Sequence, residues 1–182
     1  TGKAYGTEFG GLIAKNDVDN YTIAQSAPKI LEQSNQIKSL IDKGALTGTG
    51  SDFILNAAKV FNVVGANNAE TIKNTELLVS SLGQNVLNNI KTSGLGAGQG
   101  FTDKDKTFLE RVVGGQIALD KTTLLQLADL QERAAKASVT KWNDRVKTMP
   151  QEVLQATGVG AITLPTISTG NNGVKYLGPA ND

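Results

Sequence analysis

The sequence predicts an all-α fold: an elongated bundle of four or five amphipathic helices followed by an extended, mostly irregular C-terminal arm. Three observations carry this prediction. Apolar residues recur at alternating intervals of three and four as far as about Gln155. Helix-starting Ser, Thr, Asp and Asn, and helix-ending glycines, punctuate the stripes. From Gly158 the period is lost. The chain therefore divides into a helical assembly domain, 1–157, with a glycine-rich connector at 94–100, and a C-terminal arm, 158–182.

The elements follow in order. Tyr5, Phe9, Leu12 and Ile13 form a short helical stripe, and Ile23, Ala27, Ile30, Ser34, Ile37 and Ile41 form a longer one. Pro28 either kinks one long helix or sits in the first turn of a new helix capped by Ser26. Lys43-Gly44 supplies a cation and a glycine at the end. After Gly48-Thr49-Gly50, Ser51 caps a short helix carrying Phe53, Ile54, Ala57 and Phe61. Asn67 with Glu70 makes a capping-box variant for a helix striped by Ile72, Thr75, Val79, Leu82, Val86 and Ile90, with Gly94 beyond its end.

A flexible connector, Gly94 to Gly100, leads to Phe101 and to Thr102, which caps a helix with acids in its first turn. Phe108, Leu109 and Val112 face the core there, and Gly114-Gly115 stop it. Asp120 caps the last long helix, whose stripe is Leu124, Ala128, Ala135, Val139, Trp142 and Val146, widened by Leu127 and Leu130. Asp129–Arg133 and Glu132–Lys136 are i, i+4 pairs for a solvated face, each contributing ~0.3 kcal/mol. Pro150 opens a final short turn of helix. In the arm, Ile162, Leu164, Ile167, Val174 and Tyr176 are spaced as anchors, so the segment is either a disordered tail or an arm ordering against a neighbour.

Composition excludes whole classes of chemistry. Among 182 residues there is no histidine and no cysteine, which removes Ser-His-Asp, Cys-His and His- or Cys-ligated metal sites from this chain. Aromatics are only 5%, so Leu, Ile, Val and Ala must build the core. Eighteen basic against 17 acidic side chains provide no overall field toward nucleic acid or anionic lipid. No apolar run approaches the ~18 residues that span a bilayer. The start at Thr1, without methionine, is expected of a processed product or of part of something longer.

Motif by motif, the bland reading prevails. Gly94-x-Gly96 has Gln99, and Gly96-x-Gly98 has Phe101, where a dinucleotide fingerprint needs glycine. Asp103-x-Asp105 suggests a calcium loop, but Phe108 and Gly114 occupy its glycine and glutamate positions. The two acids are expected to cap a helix. Lys136, Lys141, Arg145 and Lys147 complement the C-terminal end of the last helix dipole and leave room only for a weak phosphate or DNA contact. Trp142 lies on the apolar stripe, a core position rather than a base-stacking one. No cofactor is implied.

The block Gly94-Leu-Gly-Ala-Gly-Gln-Gly-Phe101-Thr-Asp-Lys-Asp-Lys-Thr-Phe-Leu-Glu110 resembles one in virion proteins of tailed bacteriophages, where a glycine-rich connector precedes Phe-Thr-Asp-x-Asp-x-x-Phe-Leu. Lys3 to Gly6, Ala27-Pro28, Ile41-Asp42, Gln84 to Val86 and Lys141-Trp142-Asn143 extend the resemblance over residues 3 to 148. It implies a non-enzymatic structural part of a phage particle, similar to DNA-ejection, internal virion or tail-associated proteins. Its location would be the capsid interior, portal or tail, or the host envelope after ejection. Partners would be further copies of the chain and portal, tail or internal proteins. The residues offered for such assembly are Ile23, Ile30, Ile37, Val79, Val86, Leu124, Leu127, Trp142, Leu164, Ile167 and Tyr176. Two alternatives stay open. One is a fragment of a cell-wall-cutting enzyme, although glutamates such as Glu76, Glu110 and Glu132 form no catalytic block. The other is a membrane-perturbing module, although no basic amphipathic face appears.

Overall fold

The structure is a computed structural model that describes residues 2–44, 59–60, 75–95, 100–165, 167–168 and 175–176, with side chains at 14–44, 59–60, 79–95 and 100–165. It is all-α, with five helices defined among the described residues: α1 Gly2–Asp42, α2 Thr75–Ser93, α3 Asp103–Val113, α4 Lys121–Thr148 and α5 Gln151–Thr157. Two-residue strands, β1 Ile167–Ser168 and β2 Lys175–Tyr176, pair antiparallel, with Ile167 opposite Tyr176.

The question at Pro28 is resolved in favour of one helix. α1 runs through Pro28 for 41 residues, about 60 Å at the α-helical rise. Proline removes the N–H that would reach the Ala24 carbonyl. Ser26 does not cap a new helix. Its hydroxyl instead donates to the Ile23 carbonyl at 2.6 Å, one turn back. α1 survives because its inward stripe is buried on both sides of the proline: Ala24, Ala27, Leu31, Ser34, Ile37 and Ile41. That stripe is rotated slightly from the predicted one, so Ile23 and Ile30 flank it and are half-buried. The helix stops at Asp42, and Lys43 lies just past it rather than in its last turn.

Local sequence explains the starts of α3 and α4. The Thr102 hydroxyl accepts from the Asp105 N–H, and the Asp105 carboxylate accepts from the Thr102 N–H at 2.9 Å, a complete capping box. The Asp120 carboxylate accepts from the Thr123 N–H at 2.7 Å, which holds its pKa below the usual range. α2 ends where predicted, at Gly94, whose φ of 78° favours glycine. The predicted Asn67–Glu70 cap and nearly all of the Ser51 helix lie outside the described residues, as does the middle of the glycine connector. Lys59–Val60 of the Ser51 segment is helical.

Two buried clusters organise the bundle around α4. The larger joins Ile37 and Ile41 of α1, Val79, Leu82, Val86 and Ile90 of α2, Leu109 and Val112 of α3, and Leu124, Leu127 and Leu130 of α4. The smaller lies further along the α1–α4 crossing, where Ala24 and Ala27 meet Ala135, Val139 and Trp142. Alanines there let the two helix axes approach closely. Polar residues fix the α2–α4 contact. Gln131, 3% exposed, accepts from Asn89 Nδ2 at 2.7 Å and donates to Asn85 Oδ1 at 3.2 Å. Its buried amide is thereby satisfied on both sides.

Candidate assembly surface

Within the block Gly94–Glu110, residues Thr102 to Glu110 are built as a framework. α3 presents Leu109 and Val112 to the core, with Phe108 partly buried beside them. Arg133 of α4 grips the capping box from outside. Its Nη1 and Nη2 donate to Asp105 Oδ2 and Oδ1 at 3.1 and 3.0 Å, its Nε to Asp129 at 2.9 Å, and Nη1 also to the Gly100 carbonyl. The Arg133 guanidinium, together with the Thr102 hydrogen bonds, outweighs burial and brings the Asp105 carboxyl down to about 2. The same pairing raises Arg133. Asp105 is thus both the helix-capping acid that the spacing predicts and half of a tertiary ion pair, a role that the spacing does not reveal.

The i, i+4 pairs of α4 form as expected, but not on a freely solvated face. Glu132 bonds Lys136 and, across to α1, Lys38, both at 2.5 Å. Burial opposes ionisation of Glu132, and the two lysines overcome it, leaving its pKa lowered. A cleft of 630 Å³ lies between Gly94, Gly100 and the α4 residues Arg133, Lys136 and Lys141. Two of its three cations are matched by carboxylates. Arg133 and Lys136 hold carboxylates, and the stem of Lys141 lies across Gly94 at the C-terminal end of α2, where a cation complements the helix dipole.

The residues named for assembly separate into three groups. Ile37, Val79, Val86, Leu124, Leu127 and Trp142 are buried against the chain's own helices. The apolar surface they were expected to offer a neighbour is already covered, because the same stripe that suits a subunit contact also suits an intramolecular core. Ile23, Ile30 and Leu164 are half-buried. The first two border a 240 Å³ cleft among α1, α2 and α4, and Leu164 packs beside Trp142. Ile167 and Tyr176 face each other across the strand pair, and their side chains are outside the described residues.

The arm begins by anchoring to its own chain. Trp142 Nε1 donates to the Gly160 carbonyl at 2.8 Å. Asn143 Nδ2 donates to the Ile162 carbonyl at 2.9 Å and Asn143 Oδ1 accepts from the Ile162 N–H at 2.8 Å. Val159, Ile162 and Leu164 complete the Trp142 cluster. For residues 158–165, then, the expected latch to a neighbour is corrected to an intramolecular one, and this stretch belongs with the helical body.

What remains open lies at the far end of the α1–α4 crossing. Ala14, Asp17, Val18 and Tyr21, spaced i, i+3, i+4, i+7, share one face of α1. That face and the α4–α5 junction enclose a 310 Å³ groove, floored by Tyr21 and Trp142, whose rings are 4.9 Å apart. Asp17 and Arg145 bridge its edge at 2.7 Å, and the carboxylate raises the arginine pKa. Val18 and Val153 stand at its margin, 62% and 43% exposed, the two large apolar side chains most open to solvent among the described residues. Periodicity missed both because they lie off the buried stripes. An isolated valine on a polar flank was the available signal.

Among the described residues no group of three potential metal ligands occurs and no helix is long and apolar enough to cross a membrane. No protein-family model, curated protein or solved structure matches the chain.

Proposed function

We propose that this chain is a non-enzymatic structural component of a tailed-bacteriophage particle, acting by helix-mediated assembly with copies of itself and with portal, tail or internal virion partners. The observation that carries the reading is the Gly94–Glu110 block. Its resemblance is to virion proteins, and among its described residues Thr102, Asp105 and Leu109 are taken up by folding: Thr102 and Asp105 cap α3, Arg133 clamps them, and Leu109 enters the core. A side chain committed to such contacts is a framework part rather than a reacting group. The open apolar groove at the α1–α4 end adds a surface suited to a partner.

Location in the capsid interior, portal or tail, with release into the host envelope on ejection, belongs to the same proposal. The test is mass spectrometry of gradient-purified particles from cells carrying the gene, beside particles from a deletion. The chain is expected to co-purify in fixed stoichiometry, and deletion is expected to impair assembly or genome delivery. Its absence from particles would end this reading. Hydrolysis of purified peptidoglycan, abolished by one glutamate substitution, would favour the cell-wall enzyme instead.

A further inference from the structure

We infer that Pro28 is a hinge: residues 2–27 of α1 swing off α4 as a lever while the rest of the helix stays docked, and the Asp17–Arg145 ion pair is the latch. The inference goes beyond the proposed assembly role and is independent of it. Pro28 supplies the pivot, since proline cannot donate the bond to the Ala24 carbonyl that would tie the two parts of the helix together. Back-bonding of the Ser26 hydroxyl to the Ile23 carbonyl, at 2.6 Å, favours bending in the same turn. The two parts are held unequally. Beyond the proline, Leu31, Ser34, Ile37 and Ile41 are buried, and both isoleucines enter the larger cluster. Ile30 packs against the smaller cluster and keeps the pivot seated. Among residues 14–27 only Ala24 and Ala27 are buried, and a methyl group removes far less apolar surface from water than a leucine or isoleucine side chain. Tyr21 adds a half-buried ring, 4.9 Å from that of Trp142.

Release of the lever breaks little polar bonding. The Thr22 and Ser26 hydroxyls donate within α1, to the Val18 and Ile23 carbonyls. The Trp142 N–H is taken by Gly160, and Val159, Ile162 and Leu164 pack beside the ring, so the platform persists without the lever. Among the described residues of the lever, Asp17 alone makes a side-chain hydrogen bond to another element, accepting from Arg145 Nε and Nη2 at 2.8 and 2.7 Å. With Arg145 39% exposed, this latch is accessible to solvent and weakens with salt.

Distances between paired nitroxides on the full chain, measured by pulsed electron paramagnetic resonance, test this. The chain contains no cysteine, so labels go only where cysteines are introduced. Gln126→Cys on α4 serves as the reference, paired with Lys15→Cys in the lever or with Glu32→Cys beyond the proline, and all three positions are exposed. The pair at 15 and 126 is expected to show a docked distance and a second population, and the pair at 32 and 126 a single distance. Pro28→Ala restores the missing N–H and should shrink the second population at least ~threefold, whereas Asp17→Asn should enlarge it by a similar factor. A single distance for both pairs, a second population in both, or one indifferent to either substitution would overturn the inference.

Discussion

Asp105 shows how one side chain can serve a local and a distant purpose together. As N3 of α3 it closes the capping box, and as the partner of Arg133 it ties α3 to α4. Its carboxyl is held at about 2, below the ordinary 3.8, so the folded state binds that proton more weakly than the unfolded chain. The resulting stabilisation is complete above about pH 4 and is lost as the pH falls toward about 2, amounting to about 2 kcal/mol. Asp120 and Glu132, also held low, contribute with the same sign. Asp105→Asn should therefore lower stability by about 2 kcal/mol at neutral pH, with some discount for the partly exposed arginine, and weaken the acid sensitivity without abolishing it. Urea unfolding at about pH 6 and about pH 2.5, wild type against variant, reads both effects. A variant as acid-sensitive as the wild type would separate Asp105 from the acid response.

At the scale of elements, close approach rather than propensity decides several positions. Gly83 sits mid-helix in α2, where alanine is ordinarily better by about 1 kcal/mol. A Cβ there would stand 2.7 Å from Val112 Cγ1 and 3.2 Å from the Val113 backbone nitrogen, and Val112 is fully buried. Gly83→Ala should consequently destabilise by about 1–2 kcal/mol despite its propensity gain, because α3 must shift off α2. A raised thermal midpoint would show instead that the α2–α3 contact yields freely. The polar bond from the Ser80 hydroxyl to the Val113 carbonyl, 2.7 Å, fixes the same pair of helices. The Asn85–Asn89–Gln131 amides do so for α2 and α4. Such residues read from sequence as polar flank, since nothing within four positions marks them as facing another helix.

The described bundle is centred on α4, whose two clusters both receive residues of α1 and otherwise have different neighbours: α2 and α3 at one end, the start of the arm at the other. Asn143 connects the arm to that centre through two hydrogen bonds to Ile162. Asn143→Ala should leave the helices intact and expose 158–165 to limited proteolysis several-fold faster, since each lost bond forfeits about 1 kcal/mol of local stability. Cleavage at the wild-type rate would mean that Val159, Ile162 and Leu164 hold the segment unaided. Trp142→Phe, which keeps an aromatic ring but loses the bond to Gly160 and leaves a void in the cluster, should act in the same direction.

The amino-acid order alone prescribes the helical class, the caps at Thr102 and Asp120, the stop at Gly94 and most of the buried stripe of α4. Each of these depends on side chains within about one helical turn of the backbone groups they satisfy. It could not determine whether a stripe meets its own chain or another, since burial has the same period in either case. Ile37, Val86, Leu127 and Trp142 accordingly have the spacing of a subunit contact and belong to the core. Only the tertiary structure joined Arg133 to Asp105, drew 158–165 onto Trp142 and Asn143, and left Val18 and Val153 beside an open groove. Those outcomes rest on contacts between residues tens of positions apart, which no local pattern encodes.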